Sequence, residues 1–364
     1  MINRRHFTLL CGSVAFGQTS DAPVELDWHD AKGLTVEGLG FSDVKSPYDR
    51  LPARAEGVVR QAVWDLSRDS AGVLVRFTTS TPTLRARWTL TKKTLAGVNM
   101  TAIGASGLDL YTKTGPATCR WLGVGRPTVA TAPQAEDTLA NGLPKGEREF
   151  MLYLPLFNGV TSLEIGVPKG TVVKPGSPRP AGRKPIVFYG TSITHGASAS
   201  RAGMTHVAIL GRTFDRPVIN LGFSGNGRME PEVTKFVAEL DAAVFVIDCL
   251  PNMIAKDVEE RGEACVKILR AAHPSTPILL VEDRNYPDGF LIPSRRERND
   301  TNHVALRAVY ERLKGDKVEN LHYLKADDLL GEDGEGTTDG SHPSDLGFVR
   351  QAKEFEKALR RILK

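Results

Sequence analysis

Three residues of the 364-residue chain have the types needed for acyl transfer: Ser192, and far beyond it Asp339 and His342. A serine hydroxyl is a weak nucleophile until a base takes its proton, and a histidine oriented by a carboxylate is the usual base. Asp339 stands three residues ahead of His342, close enough to hold one ring nitrogen while the other faces a serine. Ser192 follows Gly190 after the apolar run Pro185 to Tyr189, so a tight strand-to-helix turn would hold it out of a sheet. The glycine-rich stretch from Asn220 to Gly227 (NLGFSGNG) exposes backbone N–H groups that can stabilise an oxyanion. Asp248-Cys-Leu-Pro-Asn252 offers a carboxamide donor. Each piece alone has a plainer reading. Ser192 could be a cap, the glycines a simple turn, Asn252 the cap of the helix after it, and Asp339 and His342 loop and surface residues. Their occurrence at successive strand ends of one sheet carries the chemical reading. No GxSxG motif is present, which argues against the α/β-hydrolase nucleophile elbow.

These residues need a scaffold, and the second half of the chain supplies its pattern. Short apolar runs at Ile186–Tyr189, Pro217–Leu221, Ala243–Asp248, Pro277–Val281 and Leu321–Leu324 read as strands. Helical stretches lie between and after them, at Met204–Phe214, Pro231–Leu240, Lys256–Ala272, Glu297–Lys314 and Leu346–Leu363. Strands apolar on both faces and separated by helices predict a parallel sheet covered on both sides. Ligands bind such sheets at the carboxyl ends of the strands.

The first half reads differently. Alternation in Gly72–Thr78, Thr83–Leu90, Glu149–Leu154 and Thr161–Val167, broken by Gly, Pro, Asn and Asp clusters, predicts an antiparallel sandwich or jelly roll without long helices. Asp109, in Gly107-Leu-Asp-Leu-Tyr111, is expected to be a turn-proximal or surface residue rather than a shaper of the neighbouring cleft. Trp64, Trp88, Tyr111 and Trp121 could stack on sugar rings, although most are expected in the sandwich core. The Pro-, Gly- and Lys/Arg-rich stretch 174–184 reads as a linker. The predicted organisation is a signal segment over 1–17, a β-domain over 22–175, the linker, and an α/β domain over 185–364. The β-domain is expected to pack on the α/β half and to influence substrate choice more than chemistry.

Arg4 and Arg5, the apolar stretch from Phe7 to Phe16, and Ala15-Phe16-Gly17 predict an export signal of the twin-arginine kind and a periplasmic or extracellular protein. The net charge is +4, two of which are those arginines. That is too little to point to nucleic acid, and no basic run interleaved with aromatics occurs. The apolar stretch is too short to span a bilayer, so no stable membrane insertion is expected once the signal is removed. Of four cysteines, Cys11 lies in the signal, and Cys119, Cys249 and Cys265 have no metal-site spacing and read as small buried hydrophobes.

The ordered blocks resemble the SGNH, or GDSL-type, hydrolase family. GTSIT at 190–194 is similar to its first block, NLGFSG at 220–225 to its second, DCLPN at 248–252 to its third and DGSH at 339–342 to its last. GLDLY at 107–111 resembles the mark of an N-terminal β-domain fused to one branch of that family. The chain departs from the pattern at Thr191, where the family name puts Asp, and in the third block, which lacks a leading glycine and has Pro251 before Asn252.

The resemblance implies a three-layer α/β hydrolase domain behind a jelly-roll-like β-sandwich. It further implies Ser192 as nucleophile, Asp339 and His342 completing a triad, and Ser192 N–H, Gly225 N–H and the Asn252 amide as the oxyanion hole, with no cofactor or metal. The expected substrate is a small-molecule or polysaccharide ester, foremost a short-chain O-acetyl ester of a sugar. A lipid esterase or thioesterase is the alternative within enzymes, and a non-catalytic carbohydrate-binding protein the alternative outside them.

Overall fold

Residues 24–115, 118–180 and 182–363 are described by a computed structural model of the protein. The proposed signal segment, Cys11 included, lies outside these residues.

The alternating runs of the first half form ten strands: β1 (Leu26–Asp30), β2 (Thr35–Glu37), β3 (Leu74–Thr79), β4 (Thr83–Leu90), β5 (Leu108–Gly115), β6 (Thr118–Gly125), β7 (Gln134–Asn141), β8 (Arg148–Tyr153), β9 (Val160–Pro168) and β10 (Val173–Pro175). They make two antiparallel sheets, ordered β1-β9-β4-β7 and β10-β3-β8-β5-β6, with β2 on the flank of β3. Every second residue of β4 is buried, which is the period-2 signature of a strand covered on one face. Phe77, Leu84, Trp88, Phe150 and Ile165 fill the space between the sheets. Two short helices interrupt the strands, α1 (Gln61–Ser67) and α2 (Ala102–Ser106).

The second half is a five-stranded parallel sheet: β11 (Ile186–Gly190), β12 (Val218–Gly222), β13 (Val244–Asp248), β14 (Ile278–Val281) and β15 (Leu321–Leu324), in the order β12-β11-β13-β14-β15. Its helices are α3 (Ser192–His195), α4 (His206–Thr213), α5 (Pro231–Val237), α6 (Ala255–Ala272), α7 (Pro293–Gly315) and α8 (Asp345–Ile362). Side chains of α4 and α8, among them Leu210, Phe355 and Leu359, cover one face of the sheet. Those of α5, α6 and α7, among them Val237, Leu269 and Leu306, cover the other. The expected three-layer architecture is therefore present. Helix α7 starts at Pro293, four residues before the expected Glu297, because proline at the first helical position has a preset φ and no N–H to satisfy.

The two halves share their cores. Leu51, Ala55, Val59, Val63 and Trp64 precede β3 in sequence, yet pack with Tyr189, Phe245 and Ile247 of the parallel sheet. A second cluster joins Leu74, Tyr111 and Tyr153 of the sandwich to Ile193, Ala197, Ala208 and Phe348 of the α/β half. Trp64 is thus core, but of the α/β half rather than the sandwich. Trp88 and Tyr111 are also buried, and Trp121 alone of the four named aromatics is exposed.

Asp109 differs from expectation. It is 1% exposed and faces the α/β half, where it accepts from Gly203 N at 2.7 Å, Arg201 Nη1 at 2.9 Å and Trp121 Nε1 at 3.0 Å. A buried carboxylate is tolerated only with such a set of donors. The stretch read as a linker is also held: Arg179 forms ion pairs with Glu37 and Asp215, one from each half.

Candidate active site

Ser192 is the first residue of the one-turn helix α3, directly after β11. Thr191 caps the turn, its Oγ1 accepting from Ile193 N at 3.3 Å, so the residue that departs from the family motif has a structural task. As the first residue of the turn, Ser192 has an N–H with no intrahelical acceptor. Gly196, at φ +115°, ends the turn.

The Ser192 hydroxyl lies 2.8 Å from His342 Nε2. On the far side of the ring, His342 Nδ1 lies 2.7 Å from Asp339 Oδ2. A carboxylate only accepts, so the ring proton is on Nδ1 and Nε2 is free to accept from the serine. Asp339 Oδ1 is occupied as well, accepting from His342 N at 2.8 Å and Ser341 N at 3.1 Å. Burial raises the Asp339 pKa, but these N–H donors and the neighbouring imidazole outweigh it and hold the carboxyl down at about 2. Asp339 is therefore a fixed negative charge across the working pH range. The loop is kept in place by a bridge between Thr337 and Pro343 and by the Ser344 cap of α8.

The glycine-rich turn after β12 folds over the end of β11. Phe223 N donates to Gly190 O at 2.9 Å. Gly225 has φ +69°, a left-handed conformation that a side chain disfavours. At Gly227 a Cβ would stand 1.9 Å from Gly190 O, so only glycine lets the two backbones meet there. Asn252 sits in a short helical turn (Leu250–Asn252) after β13. Its Oδ1 accepts from Gly227 N at 3.3 Å, which leaves Nδ2 as the donor end with no partner among the described residues. Asn252 does not cap α6, which begins after Ile254. Ser192, Gly225 and Asn252 thus stand at the ends of β11, β12 and β13, three neighbouring strands, as the sequence led us to expect.

Three supporting residues were not foreseen. Asp248, at the end of β13, is fully buried, pairs with Arg284 and accepts from Thr194 Oγ1 at 3.0 Å, which ties α3 to the sheet. Arg50, from the first half, donates through Nη1 to Gly222 O at 2.7 Å and Asn220 O at 3.0 Å, and through Nε to Asp69 O at 2.7 Å. Asn99, also from the first half, places its amide 3.2 Å from Asp339 Oδ2. No local motif marks these contacts, because their partners are remote in the chain.

Two other histidines near the sheet are sealed from solvent. His195 and His206 are fully buried, and desolvation together with the nearby charges of Arg50 and Arg284 pushes their pKa values well below the ordinary range. Both remain neutral. Cys119, Cys249 and Cys265 are free thiols. Burial pushes the Cys265 thiol up to about 12, and Cys249 is raised by burial too.

A cavity of about 450 Å³ reaches Thr337, two residues before Asp339, but is lined by none of the candidate site residues. Gly336 and Thr337 line one side, and the Thr337 hydroxyl accepts from Gly340 N at 3.2 Å. Tyr286 and Phe290 line another, with Phe290 83% exposed. Asp327, Asp328 and Glu332 complete the wall. Phe290, Leu291 and Ile292 form an exposed apolar run, a feature not expected from the sequence.

A family profile described as GDSL-like Lipase/Acylhydrolase family matches residues 183–360. A second, the N-terminus of Esterase_SGNH_hydro-type, or GxDLY, matches residues 26–173. Among solved structures, a GDSL-like lipase from Bacteroides ovatus is 35% identical, with a TM-score of 0.87 over 93% of this chain and 98% of its own. The salicylyl-acyltransferase SsfX3 from a tetracycline biosynthetic pathway is 18% identical, with a TM-score of 0.73 over 93% of this chain and 97% of its own. A family two carbohydrate esterase from Cellvibrio japonicus is 14% identical, with a TM-score of 0.59 over 93% of this chain and 98% of its own. No curated protein sequence matches the chain. The chain belongs to the GDSL-like, or SGNH, lipase/acylhydrolase family, in the branch that carries the GxDLY N-terminal domain.

Proposed function

We propose that the protein is an exported serine esterase that removes short acyl groups, acetyl foremost, from carbohydrate hydroxyls. The observation that carries the reading is the unbroken line from Ser192 Oγ to His342 Nε2 at 2.8 Å and from His342 Nδ1 to Asp339 at 2.7 Å.

The chemistry follows from that line. His342 Nε2 takes the Ser192 proton as Oγ attacks the ester carbonyl. Negative charge grows on the carbonyl oxygen, where Ser192 N–H, Gly225 N–H and Asn252 Nδ2 supply donors. His342 then returns the proton to the departing alcohol, leaving acyl-Ser192. Water, deprotonated by the same imidazole, releases the acid and restores the serine. Asp339 stays ionised throughout and stabilises the imidazolium.

Two observations support a sugar ester. The adjoining cavity combines aromatic faces with carboxylates, a surface for a neutral polyol and a poor one for the phosphates of a phospholipid or of coenzyme A. Structures of the same fold include carbohydrate esterases and an acetyl xylan esterase from Butyrivibrio proteoclasticus. Export is read from Arg4, Arg5 and the apolar stretch after them. N-terminal sequencing of protein from its native host should give a start near Gln18, and an intact Met1 on cytoplasmic protein would rule export out.

The deciding experiment is acetate release from a panel of acetylated glycans, with p-nitrophenyl acetate as a general ester control. Turnover of the control with no release from any glycan would retain the esterase and remove the carbohydrate.

A further inference from the structure

The β-domain reaches the reacting groups through the turn from Gly97 to Met100. Gly97 and Met100 exchange backbone hydrogen bonds at 3.0 and 3.3 Å, which makes Val98 and Asn99 the two-residue tip of a small hairpin. Met100 anchors it. Its side chain packs with Ile193, Ala197 and Phe348 of the α/β half, and its sulfur accepts from Ser198 N at 2.8 Å. Thr101 then caps α2. The hairpin is therefore docked on the segment that follows the one-turn helix of Ser192.

Asn99 is presented from this tip to the far side of the imidazole. Its Nδ2 lies 3.2 Å from Asp339 Oδ2 and 3.4 Å from His342 Nδ1. Asp339 can only accept, so the NH2 end faces it. Two donors, the ring N–H and the amide, thus converge on one carboxylate oxygen. Among the described residues, the remaining hydrogen bonds of Asp339 lie within its own loop, to Ser341 and His342, and Asn99 is the hydrogen-bond partner that ties it to a separate part of the chain.

We propose that Asn99 is a positioning residue for the esterase reaction: its amide, delivered by the β-domain, fixes the Asp339 carboxylate and through it the imidazole that serves Ser192. This role presupposes the acyl-transfer chemistry of Ser192. It would give the β-domain a part in the chemistry, beside the expected influence on substrate choice.

The electrostatic sign is definite. The amide N–H places positive charge beside Nδ1 and satisfies part of Asp339, and both effects disfavour the imidazolium. Other charged groups around the loop are engaged elsewhere. Asp345 binds Ser200, the Asp288–Arg295 pair faces Gly340, and Lys92 binds Asp69. Removing the amide should therefore loosen the imidazole and make it more basic.

The test uses the full chain with Asn99→Leu and Asn99→Asp. Asn99 has an ordinary backbone conformation, so neither change strains the turn, and aspartate keeps the shape of the side chain. In Asn99→Leu, kcat on p-nitrophenyl acetate should fall about tenfold with KM within about twofold, and the acid limb of the pH–rate profile should move up by about half a unit to one unit. Asn99→Asp, which sets a second carboxylate beside the ring, should move the limb further. The His342 Cε1–H titration, followed by NMR, should shift upward in the same order whether or not the ester is turned over. An unshifted His342 titration in both variants would overturn the positioning role. A wild-type chain that neither turns over esters nor reacts at Ser192 with a fluorophosphonate would instead overturn the esterase reading.

Discussion

The guanidinium of Arg50 and the carbonyl of Gly222 meet at 2.7 Å, across the boundary between the two halves of the chain. Gly222 is the last residue of β12, and three residues later comes Gly225. A cation from the β-domain thus caps the strand end from which the candidate oxyanion turn departs.

Arg50 is fully buried and also donates to the carbonyls of Leu66 and Asp69. Arg50→Met should leave the carbonyls of Leu66, Asp69, Asn220 and Gly222 without their buried donor, at a cost of at least about 1–3 kcal/mol in urea unfolding. A loss below about 1 kcal/mol would show that the interface does not depend on this residue.

Ser192→Ala should abolish esterase activity and leave the fold intact, since the side chain only loses an oxygen. A fluorophosphonate probe should label the wild type at Ser192 alone. Labelling that survives in Ser192→Ala would place the nucleophile elsewhere.

In the proposed reaction Asp339 acts through His342 alone, so its loss should cost no more than the loss of the base. Asp339→Asn is expected to reduce turnover by about 10²–10⁴-fold, and His342→Ala by at least as much. Pre-steady-state acylation rates separate the two roles. If Asp339→Asn acylates at the wild-type rate, the machinery is a Ser–His dyad.

A chain that begins at Arg183 should be insoluble or inactive. It would expose Ile193, Ala197, Ala208 and Phe348, and would lack Arg50, Asp109 and Asn99. A soluble, active product would mean that the contacts between the halves are dispensable.

Asp283 should couple stability to pH. It is fully buried, and burial lifts its pKa to about 7, against partial relief from Arg284 and Arg298. Its unfolded value is about 3.9. The folded chain therefore holds the proton longer, and the stability this contributes is complete below about pH 4 and lost as the pH rises through 7. Asp283→Asn should raise Tm over wild type by on the order of a few degrees at pH 8, and by much less at pH 4. Equal shifts at both pH values would mean that the carboxyl is not protonated in the fold.

The parts of the site that could be read from the sequence share a physical cause. In a parallel sheet every strand ends on the same edge, so Ser192, Gly225, Asn252 and the Asp339–His342 loop could be gathered from strand order alone. Arg50 and Asn99 had no such guide, since their partners in the α/β half lie more than a hundred residues away. Trp64 misled for a related reason. It stands in the half of the chain that forms the sandwich, but a helix rather than a strand carries it, and its ring packs into the other core. Asp109 looked like a surface carboxylate because nothing beside it announces Arg201 and the Gly203 N–H, 92 and 94 residues further on.

The shared core has a consequence for descent. A domain that is only tethered can be recombined, and its gene segment can be traded between unrelated partners. Here the β-domain supplies Leu51 and Trp64 to the core beneath the parallel sheet, and Arg50 to the end of one of its strands. A lineage that exchanged this β-domain for another would have to rebuild that core in the same step, so the two halves must be inherited, and must diverge, as one unit.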